Sequence, residues 1–241
     1  MAIFTIGDLH LPLGIDKPMN IFGSQWDNYV ERIATNWSAV VREEDTVVIP
    51  GDFSWATYIE QAQKDFEYLD KLPGKKIIIK GNHDYWWTTM SKLNEYLIKN
   101  EFSSISFLQN NAFTAEGISI CGTRGWIYPA WTTFTADDEK YFNREVGRLE
   151  LSLKAAQTDE IYVFTHYPPM SRECEGNAFT EMMKKYNVKR CYYGHLHGYS
   201  HANRIPGTVD GIEYHLVSSD YLRFVLKLVK GSEADENNVC I

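Results

Sequence analysis

Apolar runs that end in glycine recur along the chain. AIFTIG (2–7), TVVIPGD (46–52) and KIIIKGNHD (76–84) are each too short for a helix and nearly uninterrupted in their apolar part, which predicts buried strands. Between the first two, Trp26, Tyr29, Val30, Ile33, Trp37, Val40 and Val41 follow helical spacing, with Ser24 placed to cap. Tyr58, Ala62, Phe66 and Leu69 mark a second helix, stopped by Pro73 and Gly74. A third helix is expected over 88–98. Strand alternating with helix predicts a sheet of parallel strands covered by helices.

The pattern changes after residue 100. SISFLQ (104–109), NAFTA (111–115) and GISICGT (117–123) read as short strands with tight, antiparallel-type connections. A helix is expected over 137–157, using Tyr141, Val146, Leu149 and Leu153. IYVFTH (161–166), CYYGH (191–195), EYHLVSS (213–219) and YLRFVLKLV (221–229) complete the strands. The pattern predicts one α/β (α+β) domain over 1–230, two packed sheets with helices outside, and a polar acidic tail at 231–241.

Composition changes this picture little. At 241 residues, 44% hydrophobic and 23% charged, the chain can bury a core without disulfides. Cys121, Cys174, Cys191 and Cys240 form no CxxC pair, so reduced thiols and a reducing compartment are expected. No basic n-region precedes the first apolar residues, and no segment is long and apolar enough to span a bilayer. A cytoplasmic protein is the expectation. The net charge of −8 argues against a grip on long nucleic acid.

Candidate chemistry sits in the turns. GDLH (7–10), GD (51–52), GNHD (81–84), THY (165–167) and GHLH (194–197) each follow a predicted strand, and five of the seven histidines fall in them. Side chains leaving the C-terminal ends of parallel strands converge on one crevice. Asp8, His10, Asp52, Asn82, His83, Asp84, His166, His195 and His197 would meet there. Singly, each turn has a plainer reading, since Gly-Asp and Gly-Asn are common turn dipeptides. Together they form an imidazole, carboxylate and amide set without thiolate, suited to manganese, iron, zinc or a similar divalent ion. They are too many for one ion, and a carboxylate bridging two ions is the clamp used in phosphoryl hydrolysis.

The motif order D-L-H (8–10), GD (51–52), GNHD (81–84), His166 and GHLH (194–197) resembles the calcineurin-like metallophosphoesterase superfamily. The strings GDFSWA, GNHDYWW, GTRGW, HYPP and YGHLHG further resemble a bacterial subgroup of predicted phosphohydrolases. The resemblance implies a four-layer sandwich of two mixed sheets flanked by helices. It implies two divalent transition-metal ions (Mn, Fe, Zn or Ni), with Asp8, His10 and His197 on one, Asn82, His166 and His195 on the other, and Asp52 between them. It leaves His83 facing substrate, with Asp84 behind it. The second motif departs from that of the protein phosphatases, because Asp52 is followed by Phe53, Ser54 and Trp55 rather than an acidic-arginine string. The chain looks more like the branch of phosphodiesterases and small-molecule phosphatases.

The expected reaction is hydrolysis of a small phosphomonoester or phosphodiester, nucleotide-like esters included, by a metal-bound hydroxide, with His83 as general acid or stabilising cation. Asp84 would orient His83 or serve as a turn carboxylate. Arg124 would bind a substrate phosphate or a structural partner. Trp55, Tyr85, Trp86, Trp87, Trp126, Tyr128 and Trp131 either pack the loops or stack on substrate. His201 and His215 fall outside the motifs and read as structural. A nuclease of the same superfamily and a non-catalytic metal-binding scaffold are the alternatives. Substrate choice is expected in the loops 11–24, 123–137 and 167–178. The sequence leaves the oligomeric state open.

Overall fold

The computed structural model describes residues 1–131 and 133–231, so the expected tail lies, apart from Gly231, outside the described residues. The first sheet has the order β11-β1-β2-β3-β4. Its strands are β1 (Ile3–Thr5), β2 (Thr46–Pro50), β3 (Lys75–Ile79), β4 (Ile105–Phe107) and β11 (Lys227–Lys230). β1 to β4 run parallel, and β11 closes the β1 edge antiparallel. The second sheet has the order β5-β6-β7-β8-β10-β9. It contains β5 (Phe113–Ala115), β6 (Ile118–Thr123), β7 (Ile161–Thr165), β8 (Arg190–Tyr193), β9 (Thr208–Val209) and β10 (Ile212–Leu216). β6, β7, β8 and β10 are parallel, with an antiparallel strand at each edge.

Successive strand residues point to opposite faces, and here both faces are covered. Ile3, Val48, Ile77 and Ile79 face the second sheet and meet Ile118, Ile120, Tyr162, Phe164 and Tyr192. Their neighbours Phe4, Val47, Ile49 and Ile78 face outward onto α1 (Tyr29–Val40), α2 (Gln63–Lys71) and α3 (Met90–Lys99). On the far side Cys121, Val163, Cys191 and Tyr193 pack under α4 (Ala136–Lys154) and α5 (Ala178–Lys185). The order helices, sheet, sheet, helices is the expected four-layer sandwich. Continuous apolar runs such as Ile77 to Ile79 follow from it, because the central strands have both faces covered. No helix among the described residues is long and apolar enough to cross a membrane.

Several local expectations are corrected. Ser24 does not cap α1. It opens a 3-10 turn, Ser24–Trp26, and α1 starts after Asn28 in the left-handed region at φ 51. Trp26 is buried in that turn, while α1 buries Tyr29, Ile33 and Trp37, four residues apart on one stripe. Tyr58 and Tyr141 match helical spacing but are exposed, at 65% and 41%. Tyr58 precedes α2 altogether, and Tyr141 lies on the outer side of α4. β4 pairs parallel with β3 rather than joining an antiparallel group, so of these three strands β5 and β6 alone form a hairpin. Residues 221–224 are turn, not strand. α5, a two-turn helix capped by Asn177, is additional.

Candidate metal centre

Two loops at the C-terminal ends of β1 and β2 run side by side and are zipped by their backbones. Asp8 N–H donates to Gly51 O at 2.9 Å, His10 N–H to Asp52 O at 2.9 Å, and Leu11 N–H to Phe53 O at 3.0 Å. A third loop joins through a side chain. The buried Asp84 carboxylate accepts from the backbone N–H groups of Gly81, Asp52, Phe53 and Ser54 and from the Trp86 indole, at 2.7–3.2 Å. None of these donors belongs to His83, and Asp84 holds the loops together as a turn carboxylate, one of the two roles expected for it. From the second sheet, Gly194 N–H donates to His166 O at 3.1 Å, and both His166 and Tyr167 donate to the carbonyl of Arg124. Ser219 bridges the sheets, its hydroxyl donating to Asp8 O at 2.7 Å.

The side chains these loops carry converge. His10 Nε2 lies 3.3 Å from His197 Nε2, and His197 Nε2 lies 3.5 Å from Asp8 Oδ1. Asn82 Oδ1 lies 2.6 Å from His166 Nε2 and 2.8 Å from His195 Nδ1. Asp52 sits between the groups, its Oδ2 at 3.8 Å from His10 Nε2 and 3.5 Å from His166 Nε2. Its other oxygen accepts from His83 N–H at 2.8 Å. Such aiming strains the backbone, because Asp8, His10, Asp52 and His195 all hold positive φ, between 48° and 72°. Gly51, at φ 91, is required twice over: a Cβ there would lie 2.6 Å from His166 Nδ1.

The electrostatics suit a cation. Burial, reinforced by neighbouring histidine charge, holds His10 and His166 well below the ordinary imidazole range, and burial brings His195 to about 4. These imidazoles are therefore neutral near pH 7, the form that ligates metal. Burial, then the charges of Asp84 and Asp8, push Asp52 well up. Burial lifts Asp84 to about 6 against its hydrogen bonds. For His197 burial opposes the charged form, but the carboxylates of Asp8 and Asp220 outweigh it and raise the group to about 10. Carboxylates crowded this closely repel unless a positive charge joins them. The ligand atoms of Asp8, His10 and His197 lie within 4.8 Å of one another, as do those of Asp8, Asp52 and His166. This all-nitrogen-and-oxygen donor set fits divalent transition-metal ions.

The remaining sequence candidates divide. The ring of His83 stands over this cluster, 5.7 Å from His10 and 4.5 Å from Trp55. Trp55 stacks on His10 at 4.5 Å, and Lys17 Nζ lies 3.0 Å from the centroid of the Trp55 ring. Arg124, considered above for a substrate phosphate, is instead nearly buried. Its guanidinium lies 3.5 Å from the fully buried Glu145 and 4.3 Å from the Trp126 ring. Trp86 and Trp87 pack into the helix-side core. His215 stacks on Tyr192, away from the cluster. His201 is closer than its sequence position suggested, with Nε2 at 3.2 Å from Asp220 Oδ2. Asp220 is the residue that motif reading missed. It lies outside every histidine turn, and only the packing of the chain after β10 brings it behind His197.

Three comparisons bear on this geometry. The family described as calcineurin-like phosphoesterase matches residues 1–199. Among solved structures, a protein of unknown function from Aquifex aeolicus aligns with TM-score 0.50 at 18% identity, over 94% of this chain and 95% of its own. A phosphopantetheinyl hydrolase from Mycobacterium tuberculosis aligns with TM-score 0.54 at 12% identity, over 96% of each chain. At these identities the likeness is one of fold. No curated protein matches the chain.

Proposed function

Because the chain belongs to the calcineurin-like phosphoesterase family, we propose that it hydrolyses a small phosphomonoester or phosphodiester at a pair of divalent transition-metal ions. The observation that carries this reading is the place of Asp52, one oxygen of which is within 3.8 Å of a histidine from each ligand group. Asp8, His10 and His197 would hold one ion, Asn82, His166 and His195 the other, and Asp52 both. Bound there, manganese, iron, zinc or nickel would polarise a phosphoryl oxygen and acidify a water molecule.

The chain's own residues supply the rest. Water oxygen adds to phosphorus, the ester P–O bond breaks, and the leaving oxygen needs a proton. His83 is the donor. Burial, then the charges of Lys17 and His197, lower its pKa in the free protein. An arriving phosphate anion opposes those charges, so His83 takes up its proton as substrate binds. Asp84 acts at a distance, fixing the loops that carry Asp52 and Asn82.

The test is hydrolysis of paired chromogenic phosphomonoester and phosphodiester substrates by protein stripped of metal and resupplied with Mn, Fe, Zn, Ni or Mg. Two ions per chain, turnover only with transition metal, and loss of turnover in Asp52→Asn are expected. Turnover that survives metal removal, or a single ion per chain at full activity, would overturn the reading.

A further inference from the structure

A cavity of about 440 Å³ opens directly beside His195. That is within the ordinary range for a small-molecule site. His195, a member of the ligand cluster, is part of its lining, together with Leu196. The connection after β6 contributes Tyr128 and Trp131, the connection after β7 contributes Met170 and Glu173, and Ser200 and Asn203 complete it. These are two of the loops in which substrate choice was expected.

Resting on the phosphoesterase reading above, we propose that this cavity receives the organic group of the substrate, and that this group is a nucleoside. Three features select that class. Tyr128 and Trp131 stand edge-to-face with centroids 5.5 Å apart at 64°, and Trp131 keeps 36% of its surface exposed. Aromatic area left open beside a reactive centre favours a flat ring over an alkyl chain, because every nucleobase has a π-face. The Ser200 hydroxyl and the Asn203 amide offer donors and acceptors of the kind a base edge satisfies. The charges disfavour a second phosphate. The charge of Arg172, one nitrogen of which donates to the Ala202 carbonyl at 3.0 Å, is offset in the same lining by Glu173, whose carboxylate suits sugar hydroxyls.

Hydrogen bonds tie the lining segments together. Arg172 ties the connection after β7 to the turn carrying Ser200 and Asn203, and Asp220 fixes the start of that turn by accepting from Gly198 N–H at 3.0 Å. The same Asp220 supports His197, so the cavity wall and the ligand cluster share one anchor.

Binding of adenosine, guanosine and cytidine, without phosphate, to the metal-free protein tests this by calorimetry or saturation-transfer NMR. At least one nucleoside is expected to bind, about tenfold more weakly in Trp131→Ala, the loss expected for one base stacked on one aromatic ring. Asn203→Ala, a change on the turn after β8, is expected to alter the ranking among the three bases. With metal supplied, the preference for a nucleoside monophosphate over an alkyl phosphate is expected to fall in Trp131→Ala. No nucleoside binding in a protein that turns over alkyl phosphates overturns the inference and leaves the phosphoesterase reading standing. Nucleoside binding that is indifferent to both substitutions overturns the assignment to this cavity. Absence of both binding and turnover overturns both readings.

Discussion

His197 Nδ1 donates to Asp220 Oδ1 at 2.9 Å while its Nε2 faces Asp8 and His10. The carboxylate thereby orients the ring and turns its second nitrogen toward the ligand cluster. Such outer carboxylates typically change metal affinity by about 10–100-fold when removed. Asp220→Ala is therefore expected to weaken metal binding by about that factor, measured by chelator competition. Unchanged affinity in a folded variant would show that Asp8 and His10 alone orient the ring.

Asp84 and His83 are neighbours with opposite expectations. Asp84→Ala strips the partner from four backbone amides in a buried loop, and each such loss costs about 1–3 kcal/mol. Urea denaturation of the metal-free variant is expected to show a loss of several kcal/mol. His83→Ala removes a partly exposed ring whose hydrogen bond to Asp52 comes from its backbone. Stability is expected to change by less than about 1 kcal/mol and turnover to fall by about 10²–10⁴-fold, the range for a general acid. Equal stability losses in the two variants would contradict the division of roles.

Gly51→Ala combines an unfavourable backbone region with a Cβ 2.6 Å from His166 Nδ1. Since His166 Nδ1 also lies 3.1 Å from the Pro50 carbonyl, the ring has no free side to which it can retreat. Loss of stoichiometric metal, read by elemental analysis, is expected along with a fall in melting temperature. Retention of both would mean that the loops after β2 and β7 move independently.

Asp65 lies outside the ligand cluster, buried, accepting from Leu13 N–H at 2.8 Å and from the Ser54 hydroxyl. Burial, partly offset by these bonds, raises its carboxyl to about 7. The folded form thus binds this proton more tightly than the unfolded chain, whose carboxyl titrates near 4. The contribution is fully present below about pH 4 and is lost as pH rises through about 7, a change on the order of 4 kcal/mol. Asp65→Asn is expected to flatten the stability profile of the metal-free protein between about pH 4 and pH 7. An unaltered slope in that window would place the titration elsewhere.

The sequence by itself determined the apolar strands of the two sheets, the first four α-helices, and the five polar turns at the strand ends. Those features are local: an apolar run covered on both faces must be nearly continuous, and glycine is favoured where the chain turns at positive φ with no room for a side chain, as at Gly51. Their convergence followed as well, since parallel strands deliver their C-terminal ends to one edge. Tertiary structure decided what depends on contacts between distant segments. Asp220 reaches His197 only because β10 lies beside β8. Arg124 turns to Glu145 because α4 covers the end of β6 and brings a buried carboxylate that needs a cation. Ser24 gave the signal of a cap, but the chain placed a 3-10 turn there and buried Trp26 against Tyr29 and Phe224. Periodicity measures how residues repeat along one element; it carries no information about which other element covers them.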